Sequence, residues 1–322
     1  MRAIRFDRTG GPEVLNLVDI ETPNPGPGQI RVRHEAVGIN FIETYQRTGL
    51  YPVKLPAIPG GEAAGIIEAI GEGVVRFKVG DRVATTNASG AYAEASLCRA
   101  DRAVAIPDGV SARLAAAILL KGMTTEFLVR RTYPVKAGET VLVHAAVGGV
   151  GQIMTQWLNA ILSTLIATVG SAAKAEKARA LGADHVILYR EQDVAAEVRR
   201  ITGGAGVPVA YDSVGKDTFE GTLASLQRRG MFVSFGNASG APPAVAPSRL
   251  AAGGSLFLTR PSLVDYIVTT QELDDSAGRV FDMIASGKID VEIGQTFALE
   301  DARMAHEALE GRTTVGASLL IP

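Results

Sequence analysis

The chain has 322 residues, 47% of them hydrophobic, which is longer than a single core usually grows, so two domains are expected. A formal net charge of −2 recommends neither nucleic acid nor an anionic membrane as main partner. No apolar run reaches membrane-spanning length, and a single cysteine, Cys98, allows no internal disulfide and no cysteine-built zinc site, which fits a cytoplasmic protein.

The opening MRAIRFDRTGG alternates as a strand does and lacks the charged stub and apolar run of a secretory signal. Gly and Pro then punctuate the first third in TPNPGPGQ, YPVKLPAIPGG and GEGVVRFKVGDRV, and the short alternating runs between them predict a compact β-rich domain. Residues 111–131 read as a long apolar linking helix closed by Pro134. Strict alternation follows: strand ETVLVHA, helix GGVGQIMTQWLNAIL, strand TLIATVG, a helix over 172–181, strand HVILYR, another helix, strand VPVAYDSVG, a helix over 219–227, strand GMFVSFG, and SLFLT as a sixth strand. That order predicts an α/β fold with a parallel sheet. The tail holds two helices and closing strands without a nucleotide signature. We therefore assign 123–260 to this parallel-sheet domain, with 1–122 and 261–322 together forming the other.

Between the first of these strands and its helix stands Ala146-Val147-Gly148-Gly149-Val150-Gly151, the dinucleotide fingerprint with Ala for its first Gly. Gly148 lets the backbone approach a pyrophosphate, Gly151 allows close packing of helix on strand, and the helix N-terminus presents its N–H groups to the phosphates. At the end of the next strand an acidic residue would hold the ribose diol of NAD. Here stand Gly170 and Ser171, so the 2′-phosphate of NADPH meets no repulsion, and Lys174 one turn on is a candidate counter-charge. Two readings of Lys174 stand, phosphate ligand and solvated helix residue; Tyr189 likewise is either a clamp residue or an ordinary surface aromatic. The four histidines, His34, His144, His185 and His306, lack metal spacing and read as structural, Cys98 reads as a small buried apolar residue, and Trp157 as core.

The segments GINFIETYQRTGLYP, GGEAAGIIEAIGEGV, HAAVGGVG, TVGSAAKAEKARALGADHVI, YDSVGKDTFE, RRGMFVSFGNASG, LTRPSL and GASLLIP follow in the order seen in a known family. Nearly end to end, the chain resembles the zinc-free quinone oxidoreductases of the medium-chain dehydrogenase/reductase superfamily, the group that includes zeta-crystallin. The resemblance implies a GroES-like catalytic domain made from both ends of the chain around an inserted Rossmann domain, an active site in the cleft between them, NADPH as cofactor and a homodimer. It implies Asn40 and Tyr45 beside the nicotinamide and substrate with Thr124 near the same ring, and Gly149 and Val150 on the pyrophosphate. Gly170, Ser171, Lys174 and Tyr189 would clamp the adenosine phosphate. Ser213, Phe235, Gly236 and Asn237 would face the cofactor from strand ends, and Thr259, Arg260 and Arg312 would be late contacts. Phe127 departs from a tyrosine common in close relatives, and QWLNAILSTLIATVG departs from the usual form of that helix end.

The superfamily's alcohol dehydrogenases bind catalytic zinc through a Cys and a His, where this chain has Asn40 and Gly61, leaving no ligand set and Glu62 alone beside the glycines. Without a Lewis acid the substrate must accept hydride readily, as a quinone does because its reduced form is aromatic. Asn40 is then a candidate hydrogen-bond partner of the oxygen that gains charge, and Tyr45 a candidate for orienting the ring or relaying a proton. A turn-stabilising amide and a packing aromatic are their structural alternatives. Two other functions stay open: an NADPH-dependent enone or enoyl reductase, and a non-catalytic NADPH-binding module.

Overall fold

The computed structural model describes residues 1–311 and 313–322. In chain order come β1 (Arg2–Arg5), β2 (Asn16–Asp19), β3 (Gln29–Ile39), α1 (Phe41–Thr48), β4 (Ala63–Ile70), β5 (Arg82–Thr85), β6 (Ala95–Arg99), β7 (Ala103–Ala105) and α2 (Ala112–Phe127). The middle of the chain forms β8 (Thr140–His144), α3 (Gly149–Ala160), β9 (Thr164–Val169), α4 (Ala172–Ala180), β10 (His185–Leu188), α5 (Val194–Ile201), β11 (Val207–Asp212), α6 (Phe219–Ser225), β12 (Leu226–Ser234), α7 (Pro247–Ala252) and β13 (Phe257–Thr259). The chain closes with α8 (Thr270–Ala285), β14 (Ile293–Ala298), α9 (Ala302–Glu310) and β15 (Ala317–Ile321).

Two compact units result. The first comprises Met1–Lys121, Thr269–Phe281 and Val291–Pro322. Its seven-stranded sheet has the order β14-β15-β3-β4-β5-β7, with β6 pairing β3; β3 pairs antiparallel with β4, β6 and β15, and only β14 and β15 run parallel among these described pairs. The Gly- and Pro-rich connections keep its strands short, and alternate residues of β3 such as Ile30 and Val32 enter the core with Ile67, Val83 and Cys98. The tail closes a second cluster by setting Leu299, Ala302 and Leu320 against Ile4, Phe6, Val37 and Tyr92.

The second unit comprises Gly122–Val268 and Asp282–Asp290. It holds a six-stranded sheet ordered β10-β9-β8-β11-β12-β13, with every pairing parallel. Numbered along this unit the order is 3-2-1-4-5-6, the doubly wound arrangement in which ligands bind at the carboxyl ends of the strands where the order reverses. The strands are continuous apolar runs, Val141, Leu142 and Val143 in β8 and Leu165, Ile166 and Ala167 in β9, all fully buried, because helices cover both faces of such a sheet. SLFLT does supply the sixth strand.

Two segments depart from the sequence expectation. Residues 261–268 and 282–290 group with the second unit, not with the first. Tyr266 stacks on Phe127 with ring centroids 4.4 Å apart, its carbonyl accepts a hydrogen bond from Arg131 Nη1 at 2.7 Å, and Gln156 on α3 bonds both the carbonyl and the N–H of Asp290. The linking helix also ends its α-helical run at Phe127 and continues as a wider π-helical turn over Leu128–Thr132. Its middle, Ala115–Leu119, is wholly buried, which explains a sequence that is apolar all round.

Candidate functional site

In the second unit, α3 starts at Gly149 with Gly148 as its N-cap residue, so Gly148, Gly149 and Val150 form the entrance turn of a helix following β8. Gly148 N–H donates to the Ala145 carbonyl at 2.9 Å, and Gln152 N–H to the Gly148 carbonyl at 2.9 Å. Each glycine leaves room of a different kind. A Cβ on Gly151 would lie 2.1 Å from the Ala145 carbonyl oxygen and 2.7 Å from Ala146 C, both rigid backbone, so a side chain there would drive helix from strand. A Cβ on Gly148 meets only the Ala145 oxygen, at 3.3 Å. The space above Gly148 is therefore not claimed by the fold, and the helix N-terminus beneath it carries positive partial charge. This cradle fits a diphosphate.

At the end of β9, Ser171 caps α4 by accepting from Lys174 N–H. A Cβ on Gly170 would stand 2.8 Å from the Tyr189 hydroxyl, so Gly170, Ser171, Lys174 and Tyr189 share one corner without an acidic side chain among them. Tyr189 N–H donates to the Val169 carbonyl, which carries the end of β10 past that of β9. The loops after β11 and β12 also meet. Phe235 N–H donates to the Asp212 carbonyl at 2.8 Å and Ala238 N–H to the Ser213 carbonyl at 3.2 Å, and a Cβ on Gly236 would lie 2.4 Å from the Ser213 carbonyl oxygen. Ser213, Phe235, Gly236 and Asn237 are thereby assembled at the carboxyl edge. Thr259 ends β13 opposite Val233, and the exposed Arg260 donates through Nη1 to the Ser234 carbonyl at 3.0 Å. Thr124 is half-buried on α2 between the buried Met123 and Thr125. Arg312 lies outside the described residues.

In the first unit, Asn40 follows β3 and caps α1. Its backbone N–H donates to Glu43 Oε2 at 2.7 Å, and its side-chain Nδ2 donates to Glu62 Oε2 at 3.0 Å. Glu62 does not stand alone beside the glycines. Fully buried, it accepts from Leu120 N–H at 2.7 Å and pairs with the buried Lys121 ammonium at 3.0 Å. A Cβ on Gly38 would fall 2.2 Å from Glu62 Oε2 and 2.6 Å from the Ala116 carbonyl oxygen, so glycine at 38 is what admits this carboxylate. Glu43 is 1% exposed, and burial pushes its carboxyl up to about 8. Asn40 is thus gripped by two carboxyl groups that sequence reasoning missed, since 22 residues separate Asn40 from Glu62. Tyr45 lies on α1 with its ring edge-on to Tyr51 at 5.2 Å.

Three of the four histidines, His34, His144 and His306, are buried. Cys98 is buried too, with its thiol pushed up to about 12 by desolvation, and Trp157 is core. Phe127 is 1% exposed, so its ring packs inside the second unit. Among the described residues no group of three or more His, Cys, Asp or Glu side chains is placed to hold a metal ion, and no helix is long and apolar enough to cross a membrane.

Residues 26–135 match the family model of the alcohol dehydrogenase GroES-like domain, and residues 181–319 that of zinc-binding dehydrogenases. Together with the doubly wound sheet these define an enzyme of the medium-chain dehydrogenase/reductase class. The chain is 51% identical to a quinone oxidoreductase of Salmonella typhimurium over 99% of each chain. It also superposes on the crystal structure of Escherichia coli quinone oxidoreductase complexed with NADPH, with a TM-score of 0.98 and 48% identity, covering 100% of both chains. A 2-haloacrylate reductase of Burkholderia is 41% identical over 98% of this chain and 97% of that one. This chain belongs to the quinone oxidoreductase family.

Proposed function

We propose that the chain is an NADPH:quinone oxidoreductase that works without zinc and reduces small quinones. The observation that carries the cofactor assignment is the corner at the end of β9, where Gly170, Ser171, Lys174 and Tyr189 converge and Gly170 and Ser171 stand where an acidic residue would oppose a 2′-phosphate. NADPH, when bound, supplies a hydride from its nicotinamide ring. The chain's own residues hold and orient. Gly148, Gly149 and Val150 at the start of α3 hold the diphosphate. Ser213, Phe235, Gly236 and Asn237, together with Thr259 and Arg260, line the remainder; the sequence resemblance adds Arg312 as a cofactor contact. Asn40, Tyr45 and Thr124 serve the nicotinamide and substrate: Asn40 is held still by Glu62, and Tyr45 orients the acceptor ring or passes it a proton, a role water can also fill.

Absence of zinc is supported by Asn40 and Gly61 at the positions that bind the metal in the superfamily's alcohol dehydrogenases. A homodimer in the cytoplasm completes the proposal. β13 is the last strand of its sheet and carries Phe257 more than half exposed, a surface suited to a second copy. A second reading, reduction of a carbon–carbon bond conjugated to a carbonyl, is favoured by the likeness to the 2-haloacrylate reductase. Following NADPH absorbance with a panel of quinones, enones and 2-haloacrylates tests both. Turnover with quinones supports the first reading, turnover with the conjugated alkenes alone replaces it with the second, and tight NADPH binding without turnover leaves a binding module.

A further inference from the structure

Three neighbouring strands of the parallel sheet end on polar residues that are almost completely buried. His144 closes β8, Thr168 is the penultimate residue of β9, and Asp212 closes β11; each is at most 1% exposed. Thr222, wholly buried on α6, joins them. Thr168 Oγ1 lies 2.9 Å from His144 Nδ1, His144 Nε2 lies 2.9 Å from Thr222 Oγ1, and Thr222 Oγ1 lies 2.8 Å from Asp212 Oδ2. The carboxylate is satisfied on every side. Oδ2 also accepts from Thr218 Oγ1 at 2.6 Å, and Oδ1 accepts from the N–H groups of Val214 and Gly215 at 2.7 and 3.0 Å.

The Thr222 hydroxyl has two acceptors in reach, Asp212 Oδ2 at 2.8 Å and the Thr218 carbonyl at 2.7 Å, and one proton arrangement links all four side chains. Asp212 is the strongest acceptor in reach, so the Thr222 hydroxyl donates to it and accepts from His144 Nε2–H. His144 Nδ1 is then unprotonated and accepts from the Thr168 hydroxyl, leaving a neutral imidazole. Desolvation lowers the basicity of this ring and so favours the same state. The result is a directional chain of hydrogen bonds running from β9 through β8 and α6 to β11.

Stability alone does not call for it. Burying a carboxylate, an imidazole and two hydroxyls carries a desolvation cost that apolar residues would avoid, whereas a fully paired network fixes a geometry that apolar contacts leave free to slide. What it fixes lies immediately downstream. Ala145 and the glycine turn follow His144, Gly170 and Ser171 follow Thr168 by two and three residues, and Ser213 follows Asp212. The network therefore ties together the three strand ends from which the diphosphate cradle, the 2′-phosphate corner and the β11 loop depart.

We propose that Thr168, His144, Thr222 and Asp212 are positioning residues that lock these three loops in the register needed to bind the dinucleotide, touching none of it themselves. The inference rests on the NADPH reading above. Its test is Thr222→Val, which keeps the shape and removes the hydroxyl, beside Thr222→Ser, which keeps the hydroxyl. NADPH affinity is measured by fluorescence titration, turnover at saturating NADPH by absorbance, and folding by circular dichroism. Loss of a link through a neutral imidazole is expected to weaken NADPH binding about tenfold in the Val variant, with turnover at saturation within about twofold of wild type. The Ser variant should bind as wild type does.

A Val variant that binds NADPH as wild type does overturns the inference, as does a Ser variant as impaired as Val. Loss of folded fraction at unchanged affinity overturns it too, by reducing the network to a stabilising role. If Thr222→Val does not fold, Thr168→Val removes the opposite end of the chain and must show the same weakened affinity at preserved saturated turnover; wild-type affinity in that variant is equally fatal. Failure of the wild-type protein to bind NADPH would instead sink the cofactor assignment, and the positioning role with it, before any variant is compared.

Discussion

Two alanine substitutions three residues apart, Gly148→Ala and Gly151→Ala, should fail in opposite ways. At Gly151 the added Cβ would stand 2.1 Å from the Ala145 carbonyl oxygen, where ordinary contact begins at 3.4 Å. Backbone must therefore yield by more than about 1 Å in a region packed to crystal density, and overpacking of this kind costs about 1–3 kcal/mol or more. The melting temperature should fall by several degrees before any cofactor is added. At Gly148 the backbone sits at φ −73°, allowed for any residue, and the new methyl touches one atom at 3.3 Å, so the fold is barely disturbed. The methyl does occupy space over the N-terminus of α3, where N–H groups would meet a diphosphate. Losing one such charge-assisted bond costs about 1.5–3 kcal/mol, a factor of about 10–150 in NADPH affinity. Differential scanning fluorimetry of the apo proteins and NADPH titration separate the two effects. Unchanged affinity in a folded Gly148→Ala variant would refute the claim that this turn cradles phosphate.

Replacing Lys174 by Ala should weaken NADPH binding by about 1–3 kcal/mol and leave NADH binding as it was; equal losses for both, measured by parallel titrations, would remove Lys174 from the phosphate corner. Tyr45→Phe should lower quinone turnover in steady-state assays while NADPH affinity persists. Burial raises the Glu43 carboxyl from 4.5 to about 8, so the folded state holds a proton that the unfolded state releases, and wild type loses stability as pH climbs from about 4.5 to about 8. Glu43→Gln abolishes that loss, and chemical denaturation at pH 5 and pH 8 should show the variant gaining on wild type by a few kcal/mol at the higher pH. Desolvation depresses His34 to about 4 and His306 to about 3. Their contribution is complete above about pH 6.5 and is lost as pH falls toward those values, so acid unfolding should take up extra protons, measurable by the pH dependence of the melting temperature.

The parallel sheet was legible because each of its strands is a local apolar run bounded by a helix with its own signals, and the glycine turn because its demands are met within six residues. The chemistry of the second strand's end was equally local: Gly170 and Ser171 stand where an acid would have been visible. What escaped was everything joined across the chain. Glu62 is bound to Lys121 and to Leu120 N–H, 59 and 58 residues away, and no periodicity links those positions. His144, taken alone, is one more buried histidine; only its link to Thr222, 78 residues on, gives it a place in a network. Among the contacts of 282–290 with the dinucleotide unit, Gln156 grips the backbone of Asp290, which no motif announces.

Quinones are electrophiles that add to thiolates, and a protein that takes them as substrates is exposed to arylation at every turnover. This chain has one sulfhydryl to offer, Cys98, sealed within the packing of β3, β4 and β5 at 3% exposure and held as the neutral thiol far above physiological pH. Without thiolate or access the addition has no nucleophile. A cysteine introduced at the surface would consequently be the one position open to maleimide labelling, and the unaltered enzyme should stay unlabelled until it unfolds.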